Sequence, residues 1–191
     1  RGDRIVEIGV VYVSDDGQLQ DHWSTLINPQ RDVGPTRIHG IRASDVASAP
    51  TFADVAPYVL RAVSGRTVVA HNASFDLRFL AAELNRSGVQ LSDVPLSGVC
   101  TMQWSAAYLK SSSRRLIDCC RACGVPLTDA HSAAADAIAT AHLLSHYLSA
   151  SAYRPPWNDT LAVTREYPWP PYTGSYPALR MAQRSDVRAA R

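Results

Sequence analysis

Two carboxylates and one histidine, each near the start of a stretch with helical spacing, are the residues best suited to chemistry here. Asp76 closes the phrase His71-Asn72-Ala73-Ser74-Phe75-Asp76, and Asp136 closes His131-Ser132-Ala133-Ala134-Ala135-Asp136. Carboxylate oxygens are the ligands Mg²⁺ and Mn²⁺ prefer. Two such ions about 3.5–4 Å apart stabilise both the attacking and the leaving oxygens of a phosphodiester. His131 lies just ahead of the helix that carries Asp136, and a histidine titrating near neutrality is a suitable base for an attacking water. Taken singly, an Asp in a helix's first turn is usually a dipole-complementing residue and a His before a helix is usually solvated. The two phrases together point to metal-dependent cleavage of phosphodiesters.

The elements that must position these residues are readable from local patterns. Residues 4 to 13 are β-branched and nearly all apolar, which predicts a strand. Ser14-Asp15-Asp16-Gly17 is a turn, and residues 18 to 28 alternate as its hairpin partner. Residues 29 to 41 read as irregular, broken by Pro29, Gly34, Pro35 and Gly40. Thr51 caps a predicted helix to about Ser64, with Pro57 delaying or kinking it. A short strand over 66 to 70 leads into an amphipathic helix over 74 to 87, with Gly88 after its end. A second short strand over 99 to 101 precedes a helix capped by Thr101. Further helices are expected over 114 to 122 and 132 to 150. A hairpin followed by alternating strands and helices predicts a mixed α/β layer fold. Asp76 then stands just past a strand's carboxyl end, where open α/β sheets bind ligands.

With 191 residues, 46% of them hydrophobic and 19% charged, the chain has enough apolar surface for one core. A net charge of +2 neither argues for nor excludes nucleic acid. Eighteen of the nineteen basic side chains are Arg, with Lys110 the single lysine. Cys100, Cys119, Cys120 and Cys123 are too clustered for a secreted disulfide framework, so free thiols in a reducing cytoplasm are expected. No apolar run is long enough to span a membrane. Residues 151 to 191 hold six of the twelve prolines and six of the fifteen aromatics, and read as an extended arm or linker, packed by its aromatics or partly free.

The ordered motifs resemble those of the DEDDh 3′–5′ exonucleases, the family of the proofreading epsilon subunit of DNA polymerase III, within the ribonuclease H-like fold. The similarity covers residues 1 to 150, taken as an exonuclease domain, with 151 to 191 as a separate C-terminal arm. Arg4 to Gly9 is similar to the family's second strand. Asn28-Pro29, Ile38-His39-Gly40-Ile41 and Cys100-Thr101 are similar to further signatures, and the two phrases above to the second and third exonuclease motifs. The resemblance implies a mixed sheet flanked by helices and a 3′–5′ exonuclease using two divalent ions, Mg²⁺ or Mn²⁺. It places metal on Asp76 and Asp136, the general base on His131, and nucleotide contacts on Ile38, His39, Asn72 and Phe75. It implies a single-stranded 3′ end as substrate, DNA ahead of RNA, in proofreading or repair. The family's Asp-x-Glu pair and its first strand are expected about ten residues upstream of Arg1, so the chain as given is expected to have little or no activity. Asp3 and Glu7 are poor substitutes, Glu7 being expected as a structural partner inside the sheet.

Other candidates weigh less. Cys120-x-x-Cys123 fits core thiols better than a metal or redox pair. His142 and His146 fit an outer helix face. Ser111-Ser112-Ser113-Arg114-Arg115 could touch phosphates, but a solvated loop is favoured. Trp157, Trp169 and Tyr172 could stack bases, bind a polymerase or repair partner, or pack on the chain itself. The rival functions are a non-catalytic nucleic-acid-binding module and an interaction module acting through the arm.

Overall fold

The computed structural model describes residues 3–91, 94–127, 132–151 and 155–189, with side chains to residue 186. β1 (Glu7–Val13) and β2 (Leu19–Leu26) form an antiparallel hairpin in which Glu7 faces Leu26 and Val10 faces Trp23. Gly17 turns it with a φ of 88°, a value that costs an L-residue side-chain clash. β3 (Val69–Ala70) and β4 (Val99–Cys100) are a short parallel pair joined through a helix, forming a strand–helix–strand unit. Among the described residues the two ladders are not hydrogen-bonded to each other.

Helices cover both faces. One-turn helices α1 (Thr36–His39) and α2 (Ala43–Val46) follow the hairpin. α3 (Phe52–Val63) and α4 (Ala73–Arg86) bury Phe52, Val55, Leu60, Leu77 and Leu84 with Ile27, and Ile8 of β1 packs against them. On the other side lie α5 (Thr101–Tyr108), α6 (Leu116–Ala122) and α7 (Ala133–Ala150). Their core includes Cys119, Cys120, Leu143 and Tyr147, with Val13 of β1 and Val69 of β3 against it. Ile8 and Val13 therefore serve opposite cores, as the two-residue period of a strand requires. The ribonuclease H-like α/β architecture expected from the motifs is the one observed, with hairpin, crossover unit and flanking helices in the expected order.

Several local expectations are corrected. Residues 29 to 41 are not wholly irregular, because α1 forms there and ends on Gly40 in the left-handed conformation. Pro57 does not delay α3. A capping box between Thr51 and Asp54 starts the helix at Phe52, and Pro57 is buried inside it. Thr101 does not cap α5, because its hydroxyl is engaged with His71. Residues 151 to 191 are not simply extended. They contain α8 (Asn158–Glu166) and α9 (Arg184–Ala189). Pro155-Pro156 and Pro168 lie outside α8, where they bound the helix instead of breaking it. Trp157 and Trp169 are buried, one in each core, so neither is free to stack a base. His142 and His146 are exposed on α7. The four cysteines are free thiols, and burial pushes Cys120 up to about 11. No helix among the described residues is long and apolar enough to cross a membrane.

Candidate active site

β3 ends at Ala70, and the chain turns at once into α4. Asn72 makes that turn with φ 84° and ψ 52°, a left-handed conformation that Asn tolerates better than most residues. Its side chain makes no capping bond to the helix. His71, just before it, is locked by both ring nitrogens. Nε2 donates to the Arg114 carbonyl at 2.8 Å, and Nδ1 lies 2.9 Å from the Thr101 hydroxyl. Partial burial lowers the His71 pKa, opposed by the Arg114 carbonyl and by the charge of Asp136. A neutral ring that donates through Nε2 and accepts at Nδ1 satisfies both contacts.

Asp76 follows in the first turn of α4. Its carboxyl is open to solvent yet has protein on most sides. Lost hydration, with a smaller contribution from the Asp136 charge, pushes it up to about 6, against its own backbone N–H, which lowers it. Phe75, 46% exposed, presents its ring beside Phe79 with centroids 4.6 Å apart.

Asp136 sits in the first turn of α7, half-buried, and its amide donates to the Ser132 carbonyl. The start of that helix is held from the hairpin. Glu7 Oε2 accepts the Ala133 N–H at 2.9 Å, doing the work that a capping side chain at Ser132 does not. Gly9 permits the approach, since a Cβ there would overlap the Ala133 carbonyl. Arg184 grips the same Glu7 through Nε at 2.8 Å and Nη2 at 2.7 Å. Glu7 is thus a structural clamp, as its place on the strand suggests.

Ile38 and His39 lie on α1, whose end at Gly40 approaches Arg184. The same Arg184–Glu7 pair therefore borders α1 and the start of α7. Ile38 is 54% exposed. His39 is less available than its motif suggests: Nδ1 accepts the Ile41 N–H and Nε2 lies 3.1 Å from the Val33 carbonyl, so both nitrogens organise their own loop. His131 lies outside the described residues.

The structure therefore brings Asp76 and Asp136 within electrostatic reach of each other, at the starts of two helices on different sides of the sheet. Among the described residues no side-chain cation is one of the groups acting on Asp76. A pair of hard oxygen ligands in which the charge of Asp136 helps to raise the Asp76 pKa fits a divalent cation as counter-charge. They make up part of a coordination shell: among the described residues no group of three or more His, Cys, Asp or Glu side chains could hold a metal. Missed in the sequence were the His71–Thr101–Arg114 contacts and the Arg184–Glu7 pair. They join residues 30, 43 and 177 positions apart, and no local pattern signals them.

Comparison with known proteins gives the family. Residues 1–144 match the exonuclease family of RNase T type. The chain belongs to that family. It is 31% identical over 146 residues to a PolC-type DNA polymerase III of Clostridium perfringens, covering 75% of this chain and 10% of that protein. It is 32% identical over 157 residues to an epsilon-like protein of DNA polymerase III from Rhodobacter capsulatus, covering 78% of this chain and 22% of that protein. The family member therefore spans under a quarter of either relative. Among solved structures it is similar to exonuclease X in complex with 5′ overhanging duplex DNA, at 27% identity and TM-score 0.66, covering 85% of this chain and 92% of that one.

Proposed function

We propose that this chain is an exonuclease domain that removes nucleotides from 3′ ends of single-stranded nucleic acid, DNA ahead of RNA. The observation that carries the reading is the meeting of Asp76 and Asp136 at two helix starts in a chain of the exonuclease family. Asp76 and Asp136 would hold divalent ions, Mg²⁺ or Mn²⁺, which when bound stabilise charge on the phosphodiester oxygens. His131 takes the proton from the attacking water. Phe75 stacks on the terminal base, which tolerates any sequence. Ile38 packs against the same nucleotide, His39 shapes the loop beneath it, and Asn72 sets the turn that aims α4.

The relatives' names, both of DNA polymerase III, support a setting in DNA replication with a polymerase as partner, and a repair partner is the alternative. Residues 151 to 191 are the proposed docking segment. Its tryptophans are buried, and among the described residues Tyr167 and Tyr176 are exposed aromatics of the segment.

The test is degradation of 5′-labelled single-stranded DNA and RNA with Mg²⁺ or Mn²⁺ against EDTA. It is run on this chain and on a longer version carrying the upstream strand that the family resemblance implies. Metal-dependent shortening from the 3′ end by the longer version, abolished by Asp76→Asn or Asp136→Asn, is expected, with little or none by this chain. His131→Ala should lower turnover by about 10²–10⁴-fold. Binding without hydrolysis in both versions would favour the non-catalytic module, and full activity in Asp76→Asn would remove that residue from the site.

A further inference from the structure

We propose that the loop from Ser111 to Arg115 is a phosphate-binding element of the candidate site, with Arg114 as its cation. This rests on the exonuclease reading and deepens it. A loop that is merely solvated leaves its backbone to water. Here the Arg114 carbonyl is held by Nε2 of His71, the residue that opens the motif carrying Asp76. The loop is tied from its other side as well. Ser113 Oγ donates to Asp118 Oδ2 at 2.6 Å, and Ser111 Oγ donates to the Ser113 carbonyl at 2.8 Å. The backbone is thus fixed between α4 and α6 before any ligand arrives.

The charges of the loop are divided unequally. Arg115 and Arg121 both pair with Asp118, at 2.7 and 3.2 Å, and that carboxylate is held well down by its Ser113 and Arg115 contacts. Arg114 is exposed and pairs with no carboxylate among the described residues, and the same holds for Lys110 one residue before the loop. A fixed backbone carrying an uncommitted guanidinium suits a phosphodiester, whose oxygens match the planar fork of Arg. Need and position agree. Asp76 and Asp136 repel a polyanion, and a cation at the rim offsets that repulsion for the nucleotides behind the 3′ end.

The decisive measurement is binding of a 5′-fluorescein oligothymidylate in EDTA, followed by anisotropy from 50 to 200 mM salt. Arg114→Ala keeps the carbonyl that His71 holds, so the latch survives. It should weaken binding about tenfold at low salt and reduce the slope of log K against log salt by about 0.7. Arg121→Ala removes the same charge from α6 and should change affinity by less than about twofold and leave the slope alone. His71→Ala should weaken binding without removing a fixed charge, and His71→Gln, which retains a donor, should recover much of it. Equal effects of Arg114→Ala and Arg121→Ala, an unchanged slope, or no binding by the unsubstituted protein would overturn the proposal. Hydrolysis by the longer version, assayed alongside with Mg²⁺, separates the two readings. Arg114-dependent binding without turnover sinks catalysis alone, and turnover with Arg114-independent binding sinks this element alone.

Discussion

Asp76 is asked to carry a charge that its surroundings oppose. Its folded pKa of about 6 stands above the ordinary aspartate value of 3.8, so the folded chain holds this proton more tightly than the unfolded one. The resulting stabilisation is fully present below about pH 3.8 and is lost as pH rises through about 6. In EDTA, Asp76→Asn should therefore flatten the fall in stability across that window, with a Tm nearer the parent's at low pH and above it at pH 8. Superimposable pH profiles for parent and variant would refute the shift. If Asp76 holds metal as proposed, the same pKa predicts weakening metal affinity below about pH 6, as protonation removes that ligand. Glu83 presents a different case. It is a buried carboxylate whose Oε1 takes Arg4 at 2.6 Å and Arg86 at 3.5 Å. Arg4→Ala should cost about 1–3 kcal/mol in denaturant unfolding, because a buried carboxylate loses its nearest donor.

At the scale of elements, the position of α7 decides where Asp136 stands. That helix starts without a capping side chain of its own and borrows Glu7 across the Gly9 contact. Gly9→Ala should cost about 1–3 kcal/mol by overpacking, and should lower metal-dependent turnover more than turnover would fall from destabilisation alone, because the displaced element carries the proposed ligand Asp136. Thr51→Ala, which removes the cap of α3, a helix that carries neither acid, should cost about 1 kcal/mol and leave turnover unchanged in the folded fraction. The pair of variants separates a helix that positions chemistry from one that only supports the core.

For the whole molecule, the described residues from 155 to 186 are tied in by packing and pairing. Trp157 and Trp169 are buried, the Ala182 carbonyl accepts the Leu26 N–H, and Arg184 completes the Glu7 clamp. Removing residues 151 to 191 exposes apolar surface in both cores. The truncated chain should unfold at a lower temperature, and nucleic-acid binding should fall with it, as the α7 clamp loosens. An unchanged Tm would instead support a domain boundary at residue 150 and leave the segment free for partner docking.

The sequence by itself determined the pieces whose signals are local. The hairpin shows in its alternation and its Gly17 turn, α3 in its Thr51 cap, α4 in its apolar stripe, and α7 in its long run of Ala and Leu. The two carboxylates at helix starts show in the phrases that contain them. Hydrophobic period and turn chemistry act over a few residues, so they can be read without the fold. Tertiary structure alone decided that Thr101 serves His71 instead of capping α5, that His71 grips the loop of Arg114, and that Arg184 closes on Glu7. It also decided that a proline-dense stretch holds a helix and two core tryptophans. Each of these depends on which distant surfaces meet once the cores are packed, and neither side chain of such a pair carries a mark of its partner.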